Sequence, residues 1–482
     1  MNISKPRLVL ARIRPELVVN IIALLAALGV AAWLADKLTA GTEFDALSDV
    51  VLIAVAVAIF ARPRFGFLLW IAIAPFSSIF ALRMGRGLPD LGLNRLAILC
   101  TLLVIIAQVA IGRRRLARPT AVDWAAVLFV LCMVPSVLNS RLGIVGAAQF
   151  LFDFIVIPLL VYFCARQLLR GPQSVWQVAV VLAIVGALLA FFAVREQLTN
   201  QPFLSPITLR QLYARGVWKL TSFFGAPAIM SLTLVLTVPM QLVAATRPGR
   251  PVQRLLWGTT LLLTLAGILQ SYVRAGWLAA VLAIGVILVL TPAIRRYSLQ
   301  LALVAAVLLV IFGSQFINSS AIERRAAAQG PIDYRVEATQ VGLQIAARSP
   351  IFGLGLGNFG TGANNTDWAF SQAPGVRAGV WAVEPHNLYI YLLTSAGLVG
   401  LIPFLLLLGS IGLLGLRGWN SARRSPDGDQ GRWAALIATL LAYVVFAYTF
   451  DAIYAQLASI LLFLVVGAVL APQDITPAEA QA

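Results

Sequence analysis

Glu384-Pro385-His386-Asn387-Leu388-Tyr389-Ile390 opens an apolar run that continues to Leu408, and it carries the only histidine among 482 residues. A run of this kind meets the ~20 apolar residues that a bilayer crossing needs. Proline suits the first turn of a helix, so a helix starting at Pro385 is expected. His386 would then lie in the positive field of the helix N-terminus. That field favours the neutral imidazole, the form that accepts a proton, and the free amides nearby can hold an anion. Ile390, Leu393, Gly397 and Gly400 continue the same face, where two glycines would let a neighbouring helix approach closely. The competing reading is a capping or hydrogen-bonded histidine at a membrane boundary.

The rest of the chain has the same apolar character. Hydrophobic residues make up 60% and charged residues 11%, with a mean hydropathy of +0.90, which points to an all-α polytopic membrane protein rather than a soluble one. The formal charge of +17 does not indicate nucleic acid, because its distribution follows the membrane. Lys5, Arg7, Arg12 and Arg14 precede the first apolar run. No small-residue cleavage pattern follows them, so this run reads as an uncleaved first helix. Cys100, Cys132 and Cys164 all fall in apolar segments, with neither metal-site nor disulfide spacing.

Apolar runs appear near 17–35, 47–61, 65–82, 94–112, 122–138, 144–165 and 175–194, and again near 222–245, 255–272, 276–292, 299–317, 387–415, 433–450 and 452–471. Several are short, so 12–14 spans is the expected range. With a cytoplasmic N-terminus, alternate connections carry 21 of the 36 lysines and arginines, including Arg113-Arg114-Arg115 and Arg423-Arg424. This positive-inside bias favours fourteen spans with both termini cytoplasmic. The expected organisation is a single transmembrane domain over 1–471, with outer loops at 195–221 and 318–385, and a short cytoplasmic tail over 472–482. In the second loop Asp333 is a fair N-cap, and Tyr334, Ala338, Val341 and Ile345 recur at helical spacing. Ser349-Pro350 should end that helix, which reads as amphipathic and lying on or just above the membrane surface.

Four features could carry chemistry. Gly355-Leu356-Gly357-Asn358-Phe359-Gly360 matches the dinucleotide fingerprint GxGxxG, but a helix precedes it where a strand is required. A closely packed turn, with amides near an anion, is the better reading. Arg274 stands between two apolar runs with almost no connection, on the same outer side as His386, Lys219 and Arg335. Guanidinium groups clustered there suit a phosphate or pyrophosphate, although an arginine at such a place can also snorkel to the interface. Asp153, well inside the sixth run, must find a partner, either in a site or in a structural ion pair. Glu384 is the carboxylate nearest His386 in sequence; it could orient the imidazole, act as a second base, or only complement the helix N-terminus. No HExxH or paired-cysteine pattern supports a metal.

Pro385-His386-Asn387-Leu388-Tyr389, followed by Ala396-Gly397-Leu398-Val399-Gly400-Leu401, resembles the signature of bacterial O-antigen ligases and of O-antigen and exopolysaccharide polymerases. The likeness extends to Arg335, to Arg348-Ser349-Pro350-Ile351-Phe352-Gly353-Leu354-Gly355 and to Ser271-Tyr272-Val273-Arg274-Ala275-Gly276. A fainter echo is Lys219-Leu220-Thr221-Ser222-Phe223-Phe224-Gly225-Ala226-Pro227. It departs from the family, where arginine comes first and asparagines surround the proline, so which of Arg210, Arg215 and Lys219 fills that role stays open. The resemblance covers about residues 200–410.

The resemblance implies a C-type, metal-independent glycosyltransferase without cofactor, in the bacterial inner membrane with its active site facing the periplasm. It would take a glycan from undecaprenyl pyrophosphate and pass it to a hydroxyl of a glycan or lipid A core acceptor. It implies His386 and Arg274 as catalytic, aided by Glu384, with Arg215, Lys219, Arg210, Arg335, Asn387 and Tyr389 binding substrate. Membrane lipids are further partners, with a chain-length regulator a candidate and nucleic acid excluded. The phenylalanine-rich Ser222-Phe223-Phe224-Gly225 favours a polymerase over a ligase. A polysaccharide or lipid flippase is the rival class, but transporters usually show internal repeats, and none stands out. A cell-wall polymerase of the shape and division group is a further alternative, and neither Asp333 nor Asp367 sits in a context that suits it.

Overall fold

The computed structural model describes residues 43–77, 80–82, 90–199, 226–246, 251–297, 303, 330–364, 384–425 and 428–472. The expected run near 17–35, all but Leu303 of the run near 299–317, the residues Arg210, Arg215, Lys219 and Asp367, and the tail after Pro472 lie outside them. Helices stand at each of the other expected spans. These are α1 (Glu43–Ala61), α2 (Pro63–Ile73), α3 (Leu93–Ala110), α4 (Ala121–Leu138), α5 (Gly143–Leu168), α6 (Pro172–Thr199), α7 (Pro227–Thr246), α8 (Pro251–Gln270) and α9 (Arg274–Leu290). After α10 (Gly330–Arg348) follow α11 (Leu388–Arg424), α12 (Gln430–Ala447) and α13 (Gln456–Val469). Eight of the described helices are long and apolar enough to cross a membrane. The only strands among the described residues pair Ala81–Leu82 with Leu91–Gly92. The chain is therefore the all-α, multi-pass membrane protein that its hydropathy predicts.

The bundle is centred on α7, in which every residue from Met230 to Ala244 is buried. A helix apolar on all sides has no preferred outward face and goes to the middle; here α6, α8, α9, α12 and α13 surround it. Thr233, Thr237 and Gln241 are satisfied locally, Thr233 by donating to the Ile229 carbonyl. Thr237 donates to the Leu234 carbonyl, and Gln241 donates to Thr237 and to Thr264 of α8.

Two helices are irregular where they approach the site described below. In α5 the residues Phe152–Val156 form one wide turn, a type of bulge that often accompanies function. In α11 Gly397 breaks the helix, at φ 64° and ψ −161°. The break leaves backbone groups without intrahelical partners, and in a membrane each must be satisfied by protein. The loop after α10 does this. Leu354 and Gly355 donate their N–H groups to the Thr394 and Ser395 carbonyls, while Leu398 and Val399 donate to the Pro350 and Ile351 carbonyls. A Cβ on Gly397 would stand 2.2 Å from the Ile351 oxygen, so glycine is required there for fit as well as for conformation.

Three expectations are corrected by this arrangement. The glycine-bearing face of α11 admits a loop at Gly397, while at Gly400 it meets Met133 of the neighbouring helix α4 as expected. The helix begins at Leu388, not Pro385, because Asn387 caps it by accepting from the Tyr389 and Ile390 N–H groups. And α10 does not leave its apolar stripe to the membrane surface: Ala338, Val341 and Ile345 are buried against Phe359, Ala363 and Ile390. That helix starts at Gly330, so Asp333 lies inside it, and it ends before Ser349-Pro350 as expected. The GxGxxG segment is a closely packed turn. Its amides reach carbonyls of α11 and, from Leu356, the Ser136 carbonyl of α4.

Candidate functional site

The site is built where α11 begins and where the chain turns from α12 to α13. Leu388 and the ring of Tyr389 anchor the start of α11, with the Tyr389 hydroxyl donating to the Val444 carbonyl of α12 at 3.0 Å. Just before the Asn387 cap, His386 has φ 50°, a left-handed conformation that costs a non-glycine residue energy unless its surroundings hold it. Asp451 holds it. The Asp451 carboxylate accepts from the His386 N–H at 2.9 Å and from the Asn387 N–H at 2.9 Å. Its Oδ2 also lies 3.4 Å from His386 Nδ1, an electrostatic contact longer than an ordinary hydrogen bond. The Asp451 side chain is 2% exposed and that of His386 43%. A buried, fully engaged carboxylate thus supports an imidazole that reaches the open side of the site. Tyr272, two residues before Arg274, is the only other non-glycine residue with positive φ among those described.

Glu384 does not take the orienting position that its closeness in sequence suggests. Its Oε1 accepts from the Tyr454 hydroxyl at 2.8 Å, and the Tyr454 ring packs edge-on against Tyr391 and Phe150. Burial, and then the negative charge of Asp451, push the Glu384 carboxyl up to about 7, against the pull of the Tyr454 hydrogen bond. Near neutral pH Glu384 is therefore a group that can hold or release a proton one step behind the imidazole.

Arg274 is the first residue of α9 and is exposed. Next to it Gly276 lets α7 come close, since a Cβ there would stand 1.9 Å from Ser231 Oγ and 3.6 Å from the ring of Phe446 in α12. Arg335, in the second turn of α10, is close enough to feel both Arg274 and Asp451. Desolvation of its guanidinium, and then repulsion from Arg274, lower its pKa, with Asp451 opposing them, while the residue as a whole stays exposed. Arg335 is thus the group that senses both Arg274 and the Asp451 carboxylate, while Asp451 also meets His386 and acts on Glu384.

The structure brings together His386, Arg274, Arg335, Glu384, Asn387 and Tyr389, the last two as a helix cap and an anchor to α12. Asp451 is the member that sequence reading missed. Its one signal was an acidic residue in the short Thr449-Phe450-Asp451-Ala452 connection between two apolar runs. Asp153, open between a site and an ion pair, forms the pair: both arms of Arg95 meet its carboxylate, at 2.7 and 2.5 Å. Among the described residues no group of three His, Cys, Asp or Glu side chains could hold a metal ion.

Residues 259–405 match the family model described as O-antigen ligase. The match contains Arg274, Arg335, the Ser349–Gly355 loop, His386 and Gly397, and it ends before Asp451. No curated protein matches the chain. The family resemblance read from the motifs is thus borne out over these residues. Together with the apolar helices, the match supports a membrane function of the O-antigen ligase and polymerase type.

Proposed function

We propose that this protein transfers a glycan from undecaprenyl pyrophosphate to an acceptor hydroxyl, and that it acts as a polymerase of oligosaccharide repeat units at the periplasmic face of a bacterial inner membrane. The observation that carries this reading is the Asp451 carboxylate, which binds the His386 backbone and faces its ring, with Arg335 within its field and Arg274 acting on Arg335. With Nδ1 toward Asp451, the ring has Nε2 on its other side as the proton acceptor, in the tautomer that a carboxylate favours. The acceptor oxygen attacks the anomeric carbon and its proton passes to Nε2. The bond from that carbon to the phosphate oxygen breaks, and the electron pair leaves with the pyrophosphate. Arg274 and Arg335 face the charge that develops on that leaving group, the kind of preorganised electrostatics that usually supplies the largest catalytic term. The resemblance adds one of Arg210, Arg215 and Lys219 as a further donor-binding cation.

Purified protein given lipid-linked repeat units, with chelator present, should lengthen them. His386→Ala and Arg274→Ala should each reduce transfer to background. Full activity of His386→Ala would remove the base from the mechanism. The ligase is the second reading, favoured by the description of the matched family. A lipopolysaccharide blot of a deletion strain separates the two. Loss of all long chains from lipid A while lipid-linked polymer still accumulates would replace the polymerase with the ligase.

A further inference from the structure

A second cavity opens at the start of α13. It encloses about 350 Å³ and is lined by Asp90, Asn94, Arg95, Gln149, Asp153 and Gln456 among others. That size falls in the ~300–1,000 Å³ range of small-ligand sites. Its walls come from α3, α5 and the start of α13, which the fold ties together here, and from Ser77, Ala81, Asp90 and Gly92 at the paired strands. Gln456, at the start of α13, donates to the Asp153 carbonyl at 2.6 Å and accepts from Asn94 Nδ2 at 2.8 Å. Asn94 in turn accepts from the Trp70 indole at 3.0 Å. The wide turn Phe152–Val156 of α5 carries Asp153.

The charge of this cavity is opposite in character to that of the His386 cluster. Arg95 is the only cation among its described lining residues, and Asp153 already neutralises it. Asp90 adds a further carboxylate, so among the described lining residues carboxylates outnumber cations. Carboxamides and carboxylates suit a different ligand. Hydroxyl groups both donate and accept, as Asn and Gln amides do, and carboxylates accept from them. The cavity is tied to the imidazole through a short stretch of chain. Gln456 follows Asp451 by five residues, which at full extension span at most ~18 Å, and Asp451 touches His386.

We propose that this cavity is a subsite for a neutral, hydroxyl-rich sugar, kept apart from the cationic cluster that suits the pyrophosphate. Gln149 is the residue to alter, because it lines the cavity and takes no part in the Asn94–Gln456–Asp153 chain of hydrogen bonds. That the bound sugar belongs to the acceptor rests on the transferase reading above; that the cavity binds a neutral sugar does not.

Saturation-transfer NMR on the full chain, in nanodiscs free of glycolipid and sugar-headed detergent, tests the subsite directly. Glucose and N-acetylglucosamine are the probes, with inorganic phosphate as competitor. Both sugars should receive saturation, excess phosphate should not displace them, and Gln149→Trp should abolish the signal while Arg274→Ala leaves it intact. Gln149→Ala, which opens the site without filling it, should weaken the signal and keeps the test alive if the tryptophan variant misfolds. Absence of any sugar signal in the wild type, displacement by phosphate, or an unchanged signal in both Gln149 variants would overturn the subsite. In the transfer assay Gln149→Ala should raise the acceptor KM about tenfold, the worth of one lost hydrogen-bonding amide, and leave the donor KM unchanged. A wild type that binds sugar but transfers nothing would overturn the transferase reading and leave the subsite standing.

Discussion

Asp451 and Asp153 stand at the same end of the bundle, joined through Gln456, and the protein treats them in opposite ways. Asp153 is 21% exposed and meets the guanidinium of Arg95, so its charge is cancelled by a side chain. Asp451 is 2% exposed and is held by the N–H groups of His386 and Asn387. Hydrogen bonds from backbone amides stabilise a carboxylate without neutralising it. The charge of Asp451 therefore remains to act on the imidazole and on Arg335, while that of Asp153 is spent on joining α3 to α5. In the proposed mechanism the first arrangement serves chemistry, whereas the second ties α3 to α5.

The strongest way to break this contrast is Asp451→Asn. The amide would turn an NH2 toward one backbone donor and remove the charge behind His386. Transfer should fall by about 10²–10⁴-fold, the usual range for a disabled general base, and a transfer assay at saturating donor measures it. Activity within threefold of wild type would show Asp451 to be only structural. Asp153→Asn sharpens the contrast from the other side. It leaves Arg95 without its counter-charge in a half-buried place and should lower stability by about 1–3 kcal/mol. Denaturation should report that loss, with the pH profile of transfer unchanged; a shifted profile would mean that Asp153 belongs to the chemistry. The smallest effect is expected from Glu384→Gln. The folded protein holds the Glu384 proton up to about 7, above an ordinary value of 4.5. The stability this contributes is complete below pH ~4.5 and is lost as the pH rises through 7. Wild type should therefore melt at falling temperature from pH 5 to 8, and the glutamine variant should show a flatter curve. Parallel curves would place the Glu384 pKa in the ordinary range.

Much of the frame was legible beforehand because its causes are local. Apolar runs of bilayer length mark the helices, and the spacing of Ala338, Val341 and Ile345 marks the buried face of α10. Arg274 and His386 stood out as polar residues at helix ends, where a membrane protein places them only with a reason. What escaped were contacts between distant parts of the chain. Nothing near His386 indicates that its N–H is held by a carboxylate 65 residues away, because backbone amides leave no mark in a sequence pattern. The start of α11 moved from Pro385 to Leu388 for a related reason. The Asn387 cap and the left-handed His386 are stabilised together by Asp451, and a preference for proline in a first turn cannot register that.

Composition and periodicity alone determined that this is a polytopic helical membrane protein. Hydrophobic transfer and helix period act residue by residue, so a linear reading captures them. The partner of His386, the true place of Glu384 beside Tyr454, and the use of Gly353–Gly357 to satisfy the broken helix at Gly397 came only from three-dimensional packing. Each is a buried polar group that must find a partner, and which partner it finds depends on which distant segments the fold brings within hydrogen-bonding distance.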